Sequence, residues 1–174
     1  MPVFIRMVRF NRRGFACKPS MIQSLQIAAR NRNFRGATRA TSLLGGTMSE
    51  VQIAEAFVAA INSENLTQLR SLMSDDHTFT DAKGNSFSGA DRMLVGWRGF
   101  LHAYPRYKIL VDRRFTNGNE VALFGEATGS WRLNEIILPQ TWKVTAAWLA
   151  QVEDQKIKHW TVFCDTAWIS PPPQ

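Results

Sequence analysis

From Ser49 to Asn62 the apolar residues Ile53, Ala54, Phe57, Val58 and Ile61 recur at helical spacing, forming one stripe with Glu50, Gln52 and Glu55 off it. Ser49-Glu50-Val51-Gln52 fits a capping box, in which a Ser and a Gln side chain each satisfy a free backbone NH of the other. The spacing therefore predicts a helix beginning just after Met48. Asn62-Ser63-Glu64 breaks it, and Asn65 caps a short second helix reaching Met73, with Leu66, Leu69, Leu72 and Met73 as its apolar set. His77–Asp81 alternates like a strand, and Ala82–Gly89 is rich in turn formers. Ser88-Gly89-Ala90-Asp91 again resembles a capping box, opening a third helix that carries Leu94, Trp97, Leu101 and Tyr104 and stops at Pro105.

Beyond Pro105 the period changes to two. Tyr107–Thr116 and Glu120–Trp131 flank Asn117-Gly118-Asn119, a hairpin signal because Asn and Gly tolerate positive φ. Thr141–Val152 and Ile157–Ile169 flank Glu153-Asp154-Gln155-Lys156 and predict a second hairpin. Three helices with one short strand among them, followed by four long strands, predict an α+β domain with helices on one face of an antiparallel sheet.

Charge divides the chain. The formal net charge is +7, yet residues 1–47 hold nine Lys or Arg and no Asp or Glu, so the remainder is slightly acidic. Without excess positive charge, residues 48–170 are not expected to bind nucleic acid. The leader 1–47 has the Arg-rich, acid-free composition of an organellar transit peptide. The alternative is a start codon assigned too early, with translation from Met48; a tail, 171–174, closes the chain. The expected location is cytoplasmic, or organellar if the leader is a transit peptide. No run of apolar residues is long enough to span a bilayer, so no membrane partner is expected. Two cysteines, Cys17 and Cys164, support neither a disulfide framework nor a multi-cysteine zinc site.

The stretches "L..LM.DD..F.D" in 66–81, "GNSFSGADRMLVGWRGFL" in 84–101 and "KIKHWTVFCDTAWI" in 156–169, with this order of elements, resemble the nuclear transport factor 2-like superfamily, in particular its SnoaL-like and ketosteroid-isomerase-like groups. The resemblance implies a cone-shaped, curved antiparallel sheet wrapped around about three N-terminal helices, with a pocket between them. Some members use that pocket for catalysis and others for binding or oligomerisation. It also implies a small hydrophobic ligand and a homodimer formed through the sheet.

Three residues are candidates for acid/base chemistry. Asp81 occupies the place where ketosteroid-isomerase-like members keep a general-base aspartate; the local alternative is a strand-end Asp capping the turn "DAKGN". His159 could pair with an acid, or stand half-exposed without a partner, since alternation does not say which face of its strand is inside. Asp165 matches a common terminal aspartate of the last strand in the family and could equally be a structural acceptor. Such residues would suit isomerase, hydrolase, cyclase or dehydratase chemistry without organic cofactor. A ketosteroid isomerase would also need a tyrosine in the first helix. That helix has none, since the chain's two tyrosines, Tyr104 and Tyr107, flank Pro105. His77, His102 and His159 lack metal-ligand spacing, so no metal is expected. Trp97, Phe100, Trp142, Trp148 and Phe163 are the candidate walls of an apolar pocket; core or interface packing is the alternative.

Overall fold

The computed structural model describes residues 47–167. The leader before residue 47 and the tail lie outside the described residues, as do 168–169 of the predicted last strand, which ends at Cys164 and does not continue through 165–167.

Helix α1 (Glu50–Asn62) opens with the predicted capping box: the Gln52 amide donates to Ser49 Oγ at 3.3 Å and the Ser49 amide to Gln52 Oε1 at 2.8 Å. Its stripe, joined by Ala60, is fully buried. Helix α2 (Leu66–Ser71) is capped by Asn65, as expected, but ends before Met73. Met73 instead begins strand β1 (Met73–Thr80), because it lies beside Ile157, whose amide donates to Leu72 O at 2.7 Å. Tertiary pairing outweighs the helical spacing here.

Strand β2 (Ser86–Ser88), inside the segment read only as turn, pairs back onto the end of β1. Helix α3 (Ala90–Ala103) starts from Gly89 at φ 97°, without the side-chain cap expected from Ser88. Strands β3 (Lys108–Asn117), β4 (Glu120–Leu133), β5 (Ile136–Glu153) and β6 (Lys156–Cys164) follow. Strands β4 and β5 run beyond the predicted Glu120–Trp131 and Thr141–Val152 and join in a hairpin that the pattern did not predict, turning at Asn134-Glu135, both at positive φ. Pro139 hid it from the pattern, yet the ladder passes from Ser130–Thr141 to Arg132–Ile137, so Pro139 falls where no pairing is made.

The sheet order is β2-β1-β6-β5-β4-β3. All neighbours are antiparallel except β1 and β6, so the sheet is mixed rather than wholly antiparallel. It is curved and unclosed, and register shifts in β1, β3, β4 and β5 supply bends of the kind that bulges produce. The helices cover its inner face. Phe57 of α1 lies 4.8 Å from Trp160, centroid to centroid, and Val121, Leu123, Ala150 and Ile157 complete a sealed core. Asn62 ties α1 to the edge strand by imitating a strand neighbour: its Nδ2 donates to Ile109 O at 2.9 Å, and the Ile109 amide to its Oδ1 at 2.7 Å.

Candidate functional site

Helical spacing aligns Trp97, Leu101 and Tyr104 on the buried side of α3, with Phe100 beside them. After Pro105 the chain reverses through Arg106 at φ 60°, a left-handed conformation unusual for a long side chain, while the Ser130 amide holds Pro105 O at 2.9 Å. The reversal brings the next residue, Tyr107, back into the interior. Both tyrosines thus meet Phe100 and Trp142. Centroids lie 5.0 Å apart for Phe100–Tyr104, 4.9 Å for Phe100–Tyr107, 5.9 Å for Tyr107–Trp142 and 6.3 Å for Tyr104–Trp142. Trp97 continues the chain of rings, 5.7 Å from Phe100 and 6.1 Å from Phe79. Trp142 lies over Gly129, where a Cβ would come within 2.5 Å of the indole, and donates from Nε1 to Ser130 O at 3.3 Å.

Small residues form the floor. Between the two large rings of β5, Trp142 and Trp148, the inner face carries Val144 and Ala146, with Ala127, Gly125 and Cys164 at the paired positions of β4 and β6. Phe100, Val144, Val162 and Cys164 face the same interior yet are only half-buried. Solvent therefore reaches the inner face here, and the buried ring cluster fits an apolar hollow.

The polar groups of this hollow are donors. The indole NH groups of Trp97 and Trp148 are buried and form no hydrogen bond. Burial pushes the Tyr104 hydroxyl up to about 12, and that of Tyr107 further still, so both phenols keep their protons at physiological pH. Trp148 and Cys164 are the neighbours that modulate Tyr107: the thiol reinforces the rise and the indole NH opposes it.

Of the sequence candidates, the structure brings Trp97, Phe100, Trp142 and Trp148 together around this hollow. Phe163 is not among them. It pairs with Ala147 on the outer face, because Trp160 and Val162 take the inner positions of β6. His159, opposite Gln151, faces outward for the same reason. Asp165 is exposed beyond the strand and accepts the Ala167 amide at 2.8 Å. Asp81 is half-buried at the end of β1, and its carboxylate is engaged by its own turn. Oδ1 accepts the amides of Lys83 and Asn85, both at 2.9 Å, and Oδ2 accepts Asn85 Nδ2 at 2.9 Å. The three acid/base candidates thus form no pair. Among the described residues no group of three His, Cys, Asp or Glu could hold a metal ion. What sequence reasoning missed is the inward turn of Tyr107, for which the closely spaced Tyr-Pro-Arg-Tyr was the available signal.

A family model described as the SnoaL-like domain matches residues 54–160. The chain belongs to the SnoaL-like family. Solved structures agree with this SnoaL-like fold at low identity. A candidate SnoaL-like polyketide cyclase from Shewanella denitrificans is 13% identical with a TM-score of 0.61, over 67% of this chain and 90% of that one. A protein of ketosteroid-isomerase-like fold from Catenulispora acidiphila is 21% identical with a TM-score of 0.56, over 68% and 88%. An LEH-like epoxide hydrolase from M. tuberculosis is 20% identical with a TM-score of 0.56, over 67% and 82%. No curated protein matches the chain. No helix among the described residues is long and apolar enough to cross a membrane.

Proposed function

We propose that this SnoaL-like domain binds a small, largely apolar molecule in the hollow between α3 and the inner face of the sheet. The observation that carries the proposal is the lining: Trp97, Phe100, Tyr104, Tyr107, Trp142 and Trp148 supply aromatic surface and hydrogen-bond donors, and none of them is ionised. Binding rather than base catalysis is the favoured reading, because the Asp81 carboxylate is already engaged by its own turn. Catalysis of the isomerase, hydrolase, cyclase or dehydratase kind is the second reading. Its support is that Asp81 follows Phe79 on the inward alternation of β1 and is half-buried.

Asp81→Asn separates the two. The amide oxygen can still accept from Lys83 and Asn85, and only the bond from Asn85 Nδ2 is lost. The expected cost is therefore about 1 kcal/mol of unfolding free energy, with affinity for the apolar probe α-methylstyrene unchanged. A large loss of probe affinity in the folded variant assigns Asp81 to the ligand and favours the second reading.

We also propose that two copies pair through the outer face of the sheet. Leu110 and Phe115 are 50% and 47% exposed there, beside Phe124, Ala147, Leu149 and Phe163. Sedimentation at twice the chain mass is the expected result, and sedimentation as a monomer at micromolar concentration contradicts it.

A further inference from the structure

Strand β6 stops before its partner does. It covers β5 from Glu153 back to Ala146, where Cys164 is opposite, whereas β5 runs on to Ile136 with β4 as its one strand neighbour among the described residues. A strand edge left open in this way presents backbone NH and C=O groups with which a further segment can pair. The same place is the open end of the hollow. Val144 on β5 and Val162 and Cys164 on β6 face the interior there and are only half-buried. An open edge beside half-buried apolar residues fits a short extended segment that turns one large side chain inward.

The chain itself supplies such a segment. Asp165 ends β6 by accepting the Ala167 amide, yet exposure still alternates through the turn: Asp165 and Ala167 are exposed, and Thr166 between them is half-buried. Continuing that alternation would put residue 168 on the side of Thr166. Trp168 follows Cys164 by four residues, a reach of at most about 14 Å, while Val144 is two residues from Ala146 along β5, about 7 Å. Trp168 and Ile169 are residue types favoured in strands. Pro171-Pro172-Pro173 comes next, and prolines donate no backbone hydrogen bond, so pairing can extend no further than Ser170.

We infer that Trp168-Ile169-Ser170 docks on the open edge of β5 of its own chain, beside Lys143-Val144-Thr145, with the Trp168 indole over Val144 and Val162. That placement closes the end of the hollow that β6 leaves open. The docking needs no ligand; its control of ligand entry rests on the binding reading above.

Nuclear Overhauser contacts between the Trp168 ring and the methyl groups of Val144 and Val162 are expected in the uniformly labelled full chain. Their absence overturns the docking. In a mixture of chains labelled only at tryptophan with chains labelled only at valine, no such contacts are expected; their appearance gives the edge to a second copy and overturns the assignment to the chain's own tail. Alkylation of Cys164 by iodoacetamide reads the closure independently. In a Cys17→Ser background, Trp168→Ala is expected to react about tenfold faster than its parent, since thiol reactivity follows exposure. Equal rates overturn the closure. α-Methylstyrene should also leave the Trp168→Ala chain about tenfold faster. Unchanged dissociation overturns the control of entry. Failure to bind either chain overturns the hollow reading, while the Trp168 contacts decide the docking by themselves.

Discussion

Gly125→Ala is expected to destabilise the domain by about 3 kcal/mol, a large effect for one added methyl group. A Cβ at Gly125 would stand 1.9 Å from the carbonyl oxygen of Leu110 and 2.9 Å from its carbon. Those are backbone atoms of the neighbouring strand, so no side-chain rotation relieves the overlap. The close approach arises where β3 shifts register between Val111 and Arg113, so that Asp112 has no partner on β4. Gly125 pairs with Val111 on one side and Ala146 on the other, which places the same glycine in the floor of the hollow. The bend of the sheet therefore depends on this position. Urea denaturation should show a lower midpoint, accompanied by weaker α-methylstyrene binding in the folded fraction. A variant as stable as the parent contradicts the close approach.

Acidification from neutrality to about pH 4 is expected to remove up to about 3 kcal/mol through His77 alone. His77 is fully buried, with Nδ1 2.8 Å from Ile157 O, so Nδ1 carries the proton. Nε2 then keeps a lone pair with no partner, and the ring packs 5.9 Å from Phe57. Burial pulls the pKa from 6.5 down to about 4; the bond to Ile157 and the charge of Asp76 oppose the fall, and His159 adds slightly to it. The unfolded chain takes up a proton near 6.5 and the folded chain only near 4. Between those values the unfolded state binds more protons, so stability is full above 6.5, declines as pH falls, and levels off below 4 as far as this group is concerned. In His77→Asn the side-chain amide can still donate to Ile157 O but cannot titrate. Its denaturation midpoints should vary much less than the parent's across this window. Parallel slopes for parent and variant would remove His77 as the source.

Much of the fold was legible because local signals and burial agree. The stripe of α1 with its Ser49–Gln52 box, the cap at Asn65 and the turn at Asn117–Asn119 each name their element without tertiary knowledge. What pattern alone missed depends on distant partners. Met73 follows Leu72 in a helical spacing, yet β6 recruits it into a strand, and the three residues of β2 exist only because β1 pairs with them. The site was legible as composition rather than as geometry. Alternation correctly grouped Trp142 with Trp148, and His159 with Phe163, but an alternating strand looks the same from either face. Only the pairing of β6 with β5 and β1 turns Trp160 inward and sends His159 and Phe163 out. Asp81 shows the same limit: its turn-capping and catalytic roles share one residue type at one position, and the three hydrogen bonds its carboxylate accepts all come from Lys83 and Asn85, within four residues of it.

The most direct test of a ligand-binding hollow is NMR of the nitrogen-labelled full chain titrated with α-methylstyrene, following the indole NH signals of Trp97, Trp142 and Trp148 and the ring of His159. Saturable displacement of the three indole signals, with His159 unmoved, is the predicted result. Indole signals that stay in place at saturating probe, or displacement confined to His159 on the outer face, would contradict it.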